Sequence, residues 1–233
     1  MDKNIKVSIA IPCYNMYGKG AEFLRFNLNR VKEQTYTNLE VIISDHSTDD
    51  LVLDVVKSWE SELNIKYVRN DYKRGSSSAN INIGINHCTG DIIKILFQDD
   101  FLFSKDSLQK TVDAFDLERP WLVTTCCHTN NGDHFYRTHH PRWNENIHKG
   151  VNTISSPSVL TINGNEKLRF DEELIWLMDV DYYKKLYLKY GQPTILKELT
   201  VVNRMWSNQV SNVLSDEIKN AEVGTLIKRY ETN

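Results

Sequence analysis

Apolar residues along the chain gather into short β-rich runs separated by stretches of helical periodicity. Lys6 to Ile11 (KVSIAI) is a compact run ended by Pro12, and Leu39 to Ser44 (LEVIIS) is another, closed by the polar cluster Asp45 to Asp50. Apolar residues at successive positions predict strands buried on both faces, as in parallel sheets. Between these runs Leu24, Leu28 and Val31 recur at helical spacing. Leu51, Val52, Val55, Val56 and Trp59 predict a second helix, opening after Ser47 or Thr48 with Asp49 and Asp50 in its first turn. Ile65 to Val68 and Asp91 to Phe97 read as further strands, Ala79 to His87 as a helix, and Leu108, Val112 and Phe115 as the apolar stripe of another. Strand and helix in alternation predict an α/β fold.

After about Pro120 the alternation weakens. Trp121 to Thr125 reads as a strand, whereas Cys126 to Gly150 is polar, aromatic, rich in histidine and expected to be irregular. Ser158 to Ile162 and Ile195 to Val202 predict strands, and Asp179 to Tyr190 and Asp216 to Tyr230 predict helices. No repeat, low-complexity tract or linker divides the 233 residues. One continuous domain is expected, with a regular half at 1–103 and a less regular, substrate-shaping half at 104–233.

Composition narrows the classes. With 40% apolar and 25% charged residues, a disordered chain is excluded. The 28 basic and 31 acidic side chains leave a net charge of -3, so no general attraction to nucleic acid or an anionic membrane is expected. An anionic ligand would need a local site. No apolar run approaches the roughly 20 residues of a transmembrane helix, and the amino terminus lacks the apolar core of a secretion signal. A cytoplasmic setting follows as the expectation. Cys13, Cys88, Cys126 and Cys127 lack CxxC spacing and read as reduced, structural residues.

Ligands of open α/β sheets bind beyond the carboxyl ends of the strands, which directs attention to Pro12 to Asn15, Asp45 to Asp49 and Gln98 to Asp100. Tyr14 offers an aromatic face to a base and Asp45 an acceptor for a base N–H; Asp45 and Ser47 fit a helix cap equally well. Asp99 and Asp100 are adjacent carboxylates after an apolar strand. At a shielded site they would repel by about 4 kcal/mol, which a divalent ion such as Mg²⁺ or Mn²⁺ would offset. An exposed turn is the plainer alternative. Asp179 and Asp181 flank a helix start, where a carboxylate either complements the helix dipole or, facing a cleft, takes a proton from a substrate hydroxyl. His128, His134, His139, His140 and His148 lie close together without a zinc-type spacing, which suggests a polar substrate loop. Trp143, Trp176 and Trp206 are candidates to stack on sugar rings. No GxxxxGK, dinucleotide loop or GxSxG elbow occurs.

Taken in order, these segments resemble glycosyltransferase family 2, the inverting nucleotide-sugar transferases of GT-A fold. VSIAIPCYN at 7–15 is similar to the family's opening strand, QTYTNLEVIISDHSTDD at 34–50 to its second segment, and GSSSANINIGINHCTGDIIKILFQDD at 75–100 to its helix, strand and metal-binding Asp motif. The resemblance implies a Rossmann-like nucleotide-binding half with a mixed, mostly parallel sheet, fused to an acceptor-binding half. It implies that Pro12, Tyr14 and Asp45 line the base pocket, that Asp99 approaches ribose or metal, and that Asp100 binds the metal. LMDVDYY at 177–183 is similar to the element carrying the catalytic base, which points to Asp179. NRMWSNQVS at 203–211 resembles a segment whose Arg, here Arg204, approaches the diphosphate. Phe97, Met178 and Trp206 stand where the family usually has Asp, Glu and His. The implied partners are a nucleotide-sugar donor, UDP-linked in the first instance, and a carbohydrate or other hydroxyl acceptor, in glycan or surface polysaccharide synthesis. A weakened sugar-nucleotide or glycan-binding module and a sugar nucleotidyltransferase are the competing readings. The final helix is expected to pack on the domain or on a second subunit of a homo-oligomer.

Overall fold

A computed structural model describes residues 4–231. The first half runs β1 (Val7–Cys13), α1 (Gly20–Lys32), β2 (Leu39–Asp45), α2 (Leu51–Trp59), β3 (Ile65–Arg69), α3 (Ser77–Asn86) and β4 (Ile92–Ile95). A two-residue strand β5 (Phe101–Leu102), α4 (Ser107–Ala114), β6 (Trp121–Thr129) and β7 (Tyr136–His139) follow. The chain closes with β8 (Leu160–Asn163), α5 (Met178–Tyr190), β9 (Thr194–Arg204), a short α6 (Val210–Val213) and α7 (Asp216–Glu231). The order across the sheet is β3-β2-β1-β4-β8-β6-β9-β5, with β7 on β6. β3, β2, β1 and β4 are parallel, β8 runs antiparallel between β4 and β6, and β9 is parallel to β6.

Two apolar layers sandwich this sheet. Leu24, Leu28 and Val31 of α1 join Val52, Val55 and Val56 of α2 and Leu108 and Val112 of α4 on one face. Ile81 and Ile85 of α3, Val180, Tyr182 and Leu186 of α5 and Leu226 of α7 cover the other. The helical stripes of the sequence therefore face the sheet, and α7 packs on its own domain. The segment after Thr125 corrects the expectation of irregularity: β6 continues to Thr129, and β7 pairs with it. Polar side chains of β6 find partners in neighbouring elements, with Thr124 Oγ1 2.7 Å from Thr200 Oγ1 of β9 and Thr125 Oγ1 3.1 Å from His140 Nδ1 just past β7. Flanked by two strands, these residues take the pleat whatever their polarity.

Two departures from regularity shape the site. β1 pairs with β4 only from Val7 to Ala10, but with β2 as far as Cys13. Pro12, which has no N–H, thus lies where β4 has already peeled away, and the parting of the strands opens a crevice. Lys94 of β4 is wholly buried; its ammonium donates to the carbonyl of Ser158 and, at 3.4 Å, to that of Leu160. Burial pulls it down to about 7.

Candidate active site

The crevice widens into a cavity of about 660 Å³ bordered by Pro12, Tyr14, Asp99, Asp100 and Asp179. It lies beyond the carboxyl ends of the parallel strands, where an open α/β sheet presents its loops. Tyr14 is 39% exposed on its wall. The Tyr14 N–H donates to Gln98 Oε1 at 2.9 Å, and Gln98 Nε2 donates to the Gly20 carbonyl at 2.7 Å, so one buried amide ties the end of β1 to the start of α1. The chain turns tightly there: a Cβ on Gly20 would lie 2.2 Å from the Tyr14 carbonyl oxygen. Burial, and next the charge of Asp99, push the Tyr14 hydroxyl up to about 12.

Asp99 and Asp100 occupy the turn between β4 and β5. Asn27 of α1 holds this turn from below, Nδ2 donating to the Asp100 carbonyl at 2.8 Å. Asp100 is 4% exposed; Oδ1 accepts the Arg204 N–H at 3.0 Å, and Oδ2 accepts Asn203 Nδ2 at 2.8 Å and Ser156 Oγ at 3.3 Å. Asp99 Oδ2 accepts Trp206 Nε1 at 3.0 Å. Burial raises both carboxyls above their ordinary value, and in Asp99 the charge of Asp100 adds to it. The turn therefore concentrates negative charge that its neighbours do not balance. Among the described residues no third His, Cys, Asp or Glu joins the pair, and Trp206 occupies the neighbouring position. Two carboxylates suit a hard divalent ion that takes its remaining ligands from phosphate and water.

Asp179 is in the first turn of α5 and is 9% exposed. Its Oδ2 accepts Asn152 Nδ2 at 2.8 Å and its Oδ1 accepts the Val180 N–H at 2.7 Å. Burial outweighs these hydrogen bonds and pushes the carboxyl up to about 7. Such a group exchanges its proton near neutral pH, as a general base requires. Asp181, two residues on, faces away: it is wholly buried and pairs with Arg229 at 2.6 Å, Lys185 at 2.6 Å and the Tyr230 hydroxyl at 2.7 Å.

Two expected residues do not reach the cavity. Asp45 is fully buried, with Oδ1 accepting the Ser47 N–H at 2.8 Å and Oδ2 the Tyr67 hydroxyl at 2.7 Å. Its neighbour His46 lines the wall instead. Arg204 turns its guanidinium onto the rings of Phe23, Phe26 and Phe101, 4.8, 5.0 and 5.4 Å from their centroids. The three rings attract the cation, and its Nε donates to the Asp99 carbonyl at 3.2 Å. An exposed cation on the cavity wall is Arg74. Among the tryptophans, Trp176 and Trp206 border the cavity, while Trp143 stacks on Tyr187 at 4.0 Å. Of the histidines near the irregular stretch, His128 lines it.

Sequence reasoning passed over Asn152, Ser155 and Asn203, all on the wall. Ser155 adopts a φ of 117°, rare for a residue with a Cβ. It is held there by Asn152, whose Oδ1 accepts the Ser155 N–H at 3.0 Å, and by the Tyr183 hydroxyl, which donates to the Ser155 carbonyl at 3.2 Å. Only its backbone marks it, and no residue pattern carries that signal.

Residues 8–187 match the family described as Glycosyl transferase family 2. The chain belongs to glycosyl transferase family 2. Its relatives include the amylovoran biosynthesis glycosyltransferase AmsB of Erwinia amylovora, 34% identical over 117 residues, covering 49% of this chain and 37% of that protein. The GalNAc(5)-diNAcBac-PP-undecaprenol beta-1,3-glucosyltransferase of Campylobacter jejuni is 30% identical over 101 residues, 42% of this chain and 31% of that protein. The similarity thus spans about a third of each relative's length. Among solved structures, S. aureus TarS 1-349 in complex with UDP-GlcNAc superposes with a TM-score of 0.73 at 19% identity, over 96% of this chain and 66% of that one. The mannosyltransferase PcManGT from Pyrobaculum calidifontis, in complex with GDP-Man and Mn²⁺, gives 0.69 at 15% identity, over 100% and 66%. The family's GT-A fold, a mixed and mostly parallel curled sheet, is the fold observed here. No helix among the described residues is long and apolar enough to cross a membrane.

Proposed function

We propose that this chain is an inverting glycosyltransferase that moves a sugar from a nucleoside-diphosphate sugar, UDP-linked, to a carbohydrate hydroxyl in glycan or surface polysaccharide synthesis. The observation that carries this reading is one cavity bordered by a buried carboxyl poised near neutral pH, Asp179, and by a separate pair of carboxylates, Asp99 and Asp100. The donor's base would lie along Tyr14 and Pro12. A contact between the base and Asp45 requires the Tyr67 hydroxyl to give way. Asp99 and Asp100 would hold Mn²⁺ or Mg²⁺, which when bound offsets the charge gathering on the diphosphate. Arg74 adds a positive charge from the wall. Asp179 accepts the proton of the acceptor hydroxyl as that oxygen bonds to the anomeric carbon and the bond to the diphosphate breaks. One displacement from the face opposite the leaving group inverts the anomeric centre, as in hydrolases whose water is activated by a carboxylate.

The relatives' printed names favour polysaccharide and lipid-linked oligosaccharide chemistry, and the neighbours' ligands favour nucleotide sugars. The test is calorimetric titration of UDP, GDP and dTDP with Mn²⁺ and with chelator, on the parent and on Asp100→Ala, followed by assay of the matching sugar nucleotides. Binding of UDP that needs both metal and Asp100, with turnover lost in Asp179→Asn, supports the proposal. Binding with no turnover across a broad acceptor panel points instead to a glycan-binding module, and no nucleotide binding overturns both.

A further inference from the structure

α7 lies beyond the residues that match the family, yet it reaches the site. Glu222, in the middle of α7, is 7% exposed, and its carboxylate turns towards the segment that leads into α5. Its Oε1 accepts the Ile175 N–H at 2.7 Å, and its Oε2 accepts the Trp176 and Leu177 N–H groups at 3.0 and 2.8 Å. One buried carboxylate thus gathers three successive backbone donors immediately before Met178 and Asp179. Leu177, which precedes the first residue of α5, offers no capping side chain, so the donors ahead of the helix depend on Glu222, while Asp179 itself accepts the Val180 N–H within the first turn. Neighbouring contacts keep α7 in place. Lys219 lies 5.9 Å over the Trp176 ring, Leu226 is buried in the core, and Arg229 pairs with both Asp181 and Asp171.

We propose that Glu222 is the positioning residue for Asp179: by gathering the three N–H groups it fixes where α5 begins, and hence where the Asp179 carboxylate stands in the cavity. A charge-assisted acceptor serving three donors is far stiffer than a water-capped helix start. The inference rests on the transferase reading only in calling Asp179 the base; the placement itself is independent of it. The charge of Glu222 also adds to burial in raising Asp179. The other groups around Asp179 are Tyr183 on its own helix, kept neutral by burial, and the amide of Asn152. Asp181 is matched by Arg229 and Lys185, while Asp99, Asp100 and His128 border the same cavity. Removing Glu222 takes away a like charge and admits water at the start of α5. Both effects lower the proton affinity of Asp179.

The experiment is a pH titration of the aspartate carboxyl carbons by NMR on the full chain, with the Asp179 signal assigned by its loss in Asp179→Asn. Glu222→Gln and Glu222→Ala should each lower the Asp179 midpoint by roughly half a unit or more. Leu226→Ala, which loosens α7 in the core without touching the carboxylate, should leave it in place. A Glu222→Gln midpoint equal to the parent's, or an equal shift in Leu226→Ala, overturns the proposal; if Glu222→Ala does not fold, the glutamine variant decides. Failure of the parent to bind any nucleotide would remove the transferase reading without altering these midpoints.

Discussion

Asp179→Asn is expected to make the folded protein more stable, and increasingly so as pH rises. Burial lifts the Asp179 carboxyl from 3.8 to about 7, so between those values the folded state holds a proton that the unfolded chain has released. Below the unfolded value both states are protonated and the group costs nothing; through the window between the two values the cost grows with pH, and above about 7 it is constant. Integrated over a gap of about three units, the cost is roughly 1.5 kcal/mol near pH 5 and about 4 kcal/mol near pH 8. Asparagine has no such equilibrium, so its advantage over the parent should widen by about 2 to 3 kcal/mol between those pH values. A hydrogen-bond term runs the other way but does not vary with pH. The Asn152 amide cannot turn over, because its Oδ1 already accepts the N–H groups of Ile154 and Ser155, each at 3.0 Å. The new side chain must therefore keep its oxygen towards Asn152 and set its NH₂ against the Val180 N–H, losing about 1 kcal/mol. Urea unfolding of both proteins at four pH values from about 5 to 8, with the slope of each transition checked for constancy, gives the difference directly. A difference that stays flat over that range refutes the argument that burial holds the Asp179 proton.

Two further outcomes follow from particular contacts. Trp206→His replaces an indole that donates to Asp99 Oδ2 by an imidazole able to join the carboxylate pair. Mn²⁺ affinity in the presence of UDP should rise roughly tenfold, and an unchanged affinity would mean that position 206 lies outside the coordination sphere. Arg229→Met removes one of three partners of the buried Asp181 and the ion pair to Asp171, and should cost about 2 kcal/mol in chemical denaturation. A loss below about 0.5 kcal/mol would show that Lys185 and Tyr230 suffice.

The first half is legible in the sequence because β1, β2 and β4 are buried on both faces and the helices on one, and the half-exposed edge strand β3 still carries a short apolar run. β1, β2 and β3, with the stripes of α1, α2 and α4, lie where the pattern places them. The carboxylates beyond β4 and at the start of α5 were readable as words in a known order, and the cavity gathers them. What escaped depends on partners distant in the chain. β6 continues through Cys126 to Thr129 because β7 and β9 flank it, and nothing in the polarity of TTCCHT announces those neighbours. Arg204 and Asp45 turn from the cavity for the same reason: each meets partners from other parts of the chain, three phenylalanine rings in one case and Tyr67 in the other. Glu222 looks like any charged residue on a terminal helix until its three backbone donors are seen.

The locked amide of Asn152 has a consequence for the carboxylate it faces. A free carboxylate offers about four lone pairs to an arriving proton. Here Asn152 Nδ2 takes one on Oδ2 and the Val180 N–H takes one on Oδ1, and neither donor can rotate into an acceptor. The remaining seats lie on the sides of the group that these donors leave open. Asp179 is thereby a directional acceptor, and a hydroxyl that approaches along another line finds a hydrogen already in its way. In the proposed role of Asp179 as base, selection among the several hydroxyls of one sugar ring, and hence the linkage formed, would follow from the orientation of a single amide without any contact between that amide and the sugar.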